Sequence, residues 1–508
     1  MAVSSLVVYF VGGAVALAAY FGARLWLALR TPPQLAHLPQ LSFLDLIRIL
    51  TQQRTAKLVN EATAAIVRNP DIHVQYGLGE YMVVVKNPVL IKETFDKAYI
   101  FDKYDPVENA PDSLAGKAGG DNIAFVRTSG TWKMHRRIIN PAFTRGYDVN
   151  IFGDCAKLAI HRILELKPTN KNVRVLEVWP LMSEVTLNAL GRFAFGTKVG
   201  SLGERFLHLY SMFVEDLFSP IYLMLPGIDK PWNPYRRHAF ENWNELESIV
   251  YQMVESKRNE AREAGGFDKI ENPDILTYLV EAHDCDNVDD SKKLSAAMLR
   301  GDLMAILTAG SDTSSSALNS AIFQLAKHPD IQAKARQHVF DILGDAAEDI
   351  VPSAEEQKQL TYLTQIIKES TRTIPPTLQG AFRRVTEDYQ LGEYFIPKDT
   401  LLIQNLWMAH RHPDFWGDNP LEFNPDRFAG DAKDVFWSAE HPGWLSFGYG
   451  LRGCVGMQFA LMEMRIVLAM LLRRFEWRLA DGHPGTLELT ASVLPRVITN
   501  QVAFSPRY

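Results

Sequence analysis

The sequence predicts a mainly α-helical protein with small β sheets. Helical apolar periodicity covers most of the chain, while strand-like runs are few and short. Composition agrees: 47% hydrophobic and 22% charged residues over 508 positions allow one large core. That balance excludes a mainly disordered, collagenous or disulfide-stapled chain. Lys plus Arg number 53 against 59 Asp plus Glu, a formal charge of -6, so no global basic excess exists to hold nucleic acid. Cys155, Cys285 and Cys454 are odd in number and scattered, which suits a reducing compartment.

Taken in chain order, residues 1–23 contain no charged side chain. As a helix they would run about 34 Å, enough for a bilayer core. No Lys or Arg precedes the apolar run and it exceeds a usual signal-peptide core, so residues 1–30 read as a transmembrane anchor. Arg24 and Arg30 follow it, placing the body on the cytosolic side. Residues 31–40, with Pro32, Pro33 and Pro39, read as a stiff hinge, and residues 41–508 as one continuous domain. Strands are expected at 72–76 and 81–85, joined by a turn at Gly77 and Gly79, and at 389–391, 400–404 and 475–479. The longest helix is expected over 292–327, closed by His328-Pro329 and apolar almost all round at 303–309. A second opens on the capping box Ser353-Ala354-Glu355-Glu356 and stops before Pro375-Pro376.

The string Phe447-Gly448-Tyr449-Gly450-Leu451-Arg452-Gly453-Cys454-Val455-Gly456 precedes an apolar helix running to about Arg474. Its glycines allow close approach of a flat ligand, and its backbone N–H groups with the helix N-terminus stabilise an anionic sulfur. Gly448, Gly450 and Gly453 also fit a dinucleotide fingerprint, but no alternating strands and helices precede them to build the sheet that fingerprint needs. In mid-helix, Ala309-Gly310-Ser311-Asp312-Thr313-Ser314 puts small residues, an acid and hydroxyls into an apolar stretch, where bending and a gap are expected. Glu369 and Arg372 place opposite charges at i, i+3.

Phe447, Gly450, Arg452, Cys454 and Gly456 match Phe-x-x-Gly-x-Arg-x-Cys-x-Gly without a gap. In this the chain resembles the cytochrome P-450 superfamily, the haem-thiolate monooxygenases, of the membrane-anchored microsomal type. The resemblance implies the P-450 fold behind the anchor and haem b, iron protoporphyrin IX, with Cys454 as axial ligand to the iron. It implies Arg452 on a haem propionate, where a guanidinium suits a carboxylate bidentately. The distal pattern at 309–314 implies that Thr313 and Asp312 steer protons through water to the oxygen being reduced. Glu369 and Arg372 would join Arg427, from Phe423-Asn424-Pro425-Asp426-Arg427-Phe428, in a buried structural triad. Trp132 and Arg136 would reach a propionate, as would Arg383, with the adjacent Arg384 left open.

The resemblance further implies oxygen insertion into a lipophilic molecule: a steroid, terpenoid, fatty acyl chain or aromatic compound. Electrons would come from NADPH through a separate flavoprotein reductase, with cytochrome b5 as a second donor, at the endoplasmic reticulum membrane. Lys133, Arg136 and Arg137 offer such a donor a positive surface, or form a solvated basic face. Residues 207–234 would build an access channel touching the bilayer. Ala305, Ala309, Thr377, Leu378, Val493 and Leu494 would line the pocket. A haem-thiolate isomerase or dehydratase and a non-enzymatic haem protein are the rival readings; Asp312-Thr313 speaks against the first and the absence of Cys-Pro against the second. His410 and His412 read as structural, Cys155 and Cys285 as spectators.

Overall fold

The computed structural model describes residues 30–41, 71–104, 110–169, 172–197, 203–284, 293–417, 419–430, 444–490, 494–498 and 500–508. Residues 1–29 of the expected anchor at 1–30, and Cys285, lie outside them. No helix among the described residues is long and apolar enough to cross a membrane.

Helices of ten residues or more are labelled in chain order: α1 Trp132–Thr144, α2 Val149–Glu165, α3 Val178–Phe195, α4 Gly203–Leu217 and α5 Arg237–Ala264. They continue with α6 Ile275–Asp284, α7 Ala296–Lys327, α8 Pro329–Leu343, α9 Thr361–Thr373 and α10 Met457–Arg474. The strands are β1 Ile72–Gly77, β2 Glu80–Val85, β3 Phe101–Lys103, β4 Arg174–Glu177, β5 Arg383–Val385, β6 Tyr389–Leu391, β7 Tyr394–Ile396, β8 Leu401–Gln404, β9 Phe475–Leu479 and β10 Gln501–Pro506. They form a five-stranded sheet in the order β1-β2-β8-β5-β3, a three-stranded sheet β4-β10-β9 and the hairpin β6-β7.

α7 is the axis of the molecule. Its 32 residues, about 48 Å long, carry Leu318, Ile322 and Leu325 into one apolar cluster with Leu363 and Ile366 of α9 and Val467 and Leu471 of α10. Gly310 brings α3 close, for a Cβ there would stand 2.7 Å from Leu190 Cδ1. α7 starts four residues later than the periodicity predicts. Ser295 caps it by accepting the Met298 N–H at 3.2 Å, and the Leu294 N–H is already committed to Ala282 O.

The expected helix after Ser353 is two helices. The capping box forms, with Ser353 N–H on Glu356 Oε2 and Glu356 N–H on Ser353 Oγ, but the helix stops after Gln359 and α9 begins at Thr361. Between them Leu360, fully buried, turns the chain into the core.

In the sheet, β2 sends Val83 and Val85 to one apolar cluster and Met82 and Val84 to another, so both faces are covered. The β1–β2 turn is Leu78-Gly79, at φ 53° and 82°, while Gly77 pairs with Glu80 as part of the ladder. The expected hinge does not stand free: Leu35 and Leu38 are buried in the sheet's cluster and Gln40 bridges Val74. Strands β3, β4, β5, β7 and β10, absent from the sequence reading, are either only three or four residues long or weakly patterned.

Glu463 lies on the buried face of α10, and neither carboxyl oxygen has a hydrogen-bond partner among the described residues. Burial, partly offset by Ser314 of α7, pushes its pKa from 4.5 up to about 8. Between those values the unfolded chain has released this proton and the folded chain holds it, so stability falls as pH rises through the window. Glu463→Gln should flatten that part of the urea-midpoint curve and stabilise the protein at pH 8 by a few kcal/mol in order of magnitude. A variant that keeps the wild-type slope would refute the assignment.

Candidate active site

The loop before α10 is fastened at both ends. Trp444 Nε1 donates to Lys368 O at 3.1 Å and the Leu445 N–H to His410 Nε2 at 2.9 Å. Gly448 and Gly450 follow at φ 66° and 68°, a left-handed backbone that a side chain would strain. The Cys454 N–H then donates to Phe447 O at 2.9 Å, closing the loop three residues before α10. Gly456 has room for a Cβ, its nearest neighbours being Phe143 at 3.7 Å and Cys454 Sγ at 4.0 Å. Its contribution here is a backbone N–H toward the sulfur.

Burial pushes the Cys454 thiol up, while the Gly456 N–H and the Arg136 guanidinium favour the thiolate. Yet the side chain is exposed to solvent-sized contact. A group both surrounded by protein and exposed opens into an internal void. Arg136, on α1, also donates to Gly453 O at 3.5 Å, whereas its neighbours Lys133 and Arg137 are exposed.

Beside this loop lies a buried cationic cluster. Arg452 Nη1 donates to Val126 O and Thr128 Oγ1, Nη2 donates to Ile123 O and Ala124 O, and the guanidinium lies 4.9 Å over the Trp132 ring. Both terminal nitrogens are thus engaged by the 123–128 segment, so the bidentate clasp expected of Arg452 is not free in this arrangement. It offers its charge and its Nε–H. Burial, then repulsion from Arg383, pushes Arg452 down to about 9. Arg383 is buried against Phe101 O at 2.7 Å and pushed down to about 10 by burial. Arg384 points the other way, to Glu80.

Lys103, which sequence reasoning missed, is held well below its usual range by burial and by Arg383 and Arg452. Asp102 is the facing carboxylate. Burial opposes its charge, but N–H donors from Thr128 at 2.6 Å and Lys103 at 2.8 Å and the Ser129 hydroxyl at 2.8 Å hold it below its usual range. Two guanidiniums and the Lys103 amine around one saturated carboxylate leave positive charge uncompensated, which fits a ligand with carboxylates of its own. Adjoining an accessible interior thiol, that donor set fits a thiolate-ligated haem.

On α7, Ala309 is exposed and Ala305, Thr308 and Thr313 are half-exposed, although the helix is otherwise buried. Their spacing puts them on one face, which must line an internal space. Thr313 Oγ1 donates to Ala309 O at 2.7 Å, leaving its lone pairs outward. Asp312 turns elsewhere, lining a cavity of about 270 Å³ with Trp179, Glu215, Phe218, Leu494 and Arg496. Burial raises its pKa from 3.8 to about 6 against the pull of Arg496 and Tyr210. Of the other expected pocket residues, Thr377 and Leu378 are half-buried, with Leu378 packed toward Trp407 and Phe323, and Val493 lies outside the described residues.

Glu369 and Arg372 are fully buried and bidentate, at 2.6 and 2.7 Å. Arg372 also donates to the carbonyls of His410, Pro420 and Glu422, and Arg427 approaches Glu369 Oε1 at 3.5 Å from a less buried position. His410, bonded to the Leu445 N–H, and Cys155, buried with its thiol pushed up to about 12, take no part in the site.

Comparison with known proteins agrees with this chemistry. The family profile described as Cytochrome P450 matches residues 46–501. The 11-oxo-beta-amyrin 30-oxidase of Glycyrrhiza uralensis is 29% identical over 429 residues, 80% of this chain and 76% of that protein. Cytochrome P450 734A6 of Oryza sativa subsp. japonica is 29% identical over 78% of this chain and 73% of its own length. Cytochrome P450 72A397 of Kalopanax septemlobus is 25% identical over 88% of this chain and 86% of its own.

The buried pair yields a stability test. Glu369→Ala strands the Arg372 charge and should cost about 3 to 5 kcal/mol in urea unfolding. A loss under about 1 kcal/mol would mean that water replaces the carboxylate.

Proposed function

Since the chain belongs to the cytochrome P450 family and is an oxidoreductase of that kind, we propose that it inserts one atom of O2 into a lipophilic small molecule, by hydroxylation or epoxidation. The observation that carries this is the interior-facing thiol of Cys454 beside the buried guanidiniums of Arg383 and Arg452. Haem bound through the Cys454 thiolate would supply reductive activation of O2. The protein's own groups do the rest. The Gly456 N–H and Arg136 favour the thiolate, while Arg452, Arg383 and Lys103, with Arg136 and the Trp132 indole, would hold the propionates. Phe447, Gly448 and Gly450 keep the loop bent around the ligand sulfur.

On the distal side, Ala305 and Ala309 leave room for a substrate and Thr313 orients water through its free lone pairs. Asp312, pushed up to about 6 by burial and lining the adjoining cavity, exchanges protons with that water. A terpenoid is the favoured substrate class, by analogy with the 11-oxo-beta-amyrin 30-oxidase of Glycyrrhiza uralensis. Arrival from a membrane is supported by the exposed apolar side chains Ile221, Leu225, Trp232 and Tyr235, the last two 68% and 82% exposed. An anchor at residues 1–30 would hold the enzyme on the cytosolic face of the endoplasmic reticulum. There Lys133 and Arg137 would meet an acidic NADPH-dependent reductase or cytochrome b5.

Reduced protein under carbon monoxide should show the strongly red-shifted Soret band of a thiolate ligand, and Cys454→His should lose it; the same spectrum in both would refute the ligand assignment. Thr313→Ala should lower coupled product formation roughly tenfold or more and divert reducing equivalents to peroxide. Unchanged coupling would remove Thr313 from proton delivery.

A further inference from the structure

His135 and Asp302 have no part in the reading above. Both are fully buried, His135 on α1 and Asp302 on α7, with imidazole Nδ1 2.6 Å from Asp302 Oδ2. The other carboxyl oxygen, Oδ1, accepts the Ile123 N–H at 2.8 Å. Burying a carboxylate is costly unless its oxygens are bonded, and here one takes a side chain and the other a backbone donor. His135 Nε2 has no partner among the described residues, so the ring is held through Asp302.

The backbone donor is the informative one. Ile123 begins the run whose oxygens engage Arg452: Ile123 O and Ala124 O accept Nη2, Val126 O and Thr128 Oγ1 accept Nη1. The same run is pinned to α7 beside Asp302, since a Cβ on Gly301 would stand 2.6 Å from Asp121 O and 2.9 Å from Gly119 O. Asn122 braces it internally, accepting the Ala124 N–H at 2.8 Å and donating to Gly119 O at 2.5 Å. From the other side, His135 sits on the helix that carries Trp132, whose ring lies under Arg452, and Arg136, which faces Cys454. One buried pair therefore joins the three pieces that fix the Arg452 guanidinium: α1, α7 and the 119–128 segment.

We propose that His135 and Asp302 are a positioning couple that sets the Arg452 guanidinium for haem retention, acting through the Ile123 N–H. The proposal rests on the haem reading of the site. It is tested on the purified full-length ferric holoenzyme by the rate of haem transfer to excess haem-free myoglobin, with thermal unfolding measured in parallel. Asp302→Asn and His135→Leu should release haem roughly ten to a hundred times faster than wild type, the range typical of groups that orient a cofactor's ligands. His135→Asn, whose side-chain amide N–H stands where the imidazole Nδ1 stands, should stay near the wild-type rate.

The decisive arm is coupling. In an Arg452→Lys background, Asp302→Asn should add little, because the group it positions is already altered. Additive effects, or wild-type haem release despite a lowered unfolding temperature, would overturn the proposal and leave the pair as packing. Should Asp302→Asn not fold, His135→Leu takes its place in the same cycle under the same criteria. Wild-type protein that takes up no haem defeats the proposed function instead.

Discussion

Charge buried without a counter-charge is the constraint on which this structure turns. Lys103, Arg383 and Arg452 are gathered around Asp102, a single carboxylate whose oxygens are already engaged. Such a cluster is costly by itself and becomes favourable when an anionic ligand arrives. The rest of the fold keeps those cations from escaping to water: β3 and β5 hold Lys103 and Arg383 in the ladder, and the 123–128 segment holds Arg452. The loop carrying Cys454 then completes a site that is cationic on one side and thiol-bearing on the other.

A second constraint comes from α7. A helix buried on all sides has no room beside it unless some face is pared down. Ala305 and Ala309 make that face small, and Gly310 lets α3 close in behind. Polar atoms in this stretch are satisfied locally: Thr313 and Thr308 bond back to α7 carbonyls, Ser311 meets Thr186 of α3, and Tyr210 of α4 donates to Leu307 O. Asp312 lies against Tyr210 and lines a cavity that also holds the Arg496–Glu215 ion pair at 2.7 Å, which gives it contact beyond the apolar core.

Legibility followed chain distance. The 447–456 string and the polar break in α7 could be read because their chemistry is contiguous, and the capping box at Ser353 because it spans three residues. The helix after it was read too long because nothing local marks Leu360 as a core residue. Lys103 and Asp102 were missed since a strand of three residues has no period to detect. His135 and Asp302 were missed since 167 residues separate them and each alone is an ordinary helical polar residue.

By itself the sequence determined the helical class, the thiol-bearing loop and the pared-down stretch of α7, all of them patterns within a few turns of chain. Tertiary structure alone decided which of Arg383 and Arg384 faces inward, that Lys103 joins the arginines, that Asp312 lines a cavity with Arg496, and that Arg452 is gripped by carbonyls. The reason is physical: burial and electrostatic pairing depend on distance in space, and a one-dimensional pattern records only neighbours that a helix or strand already holds together.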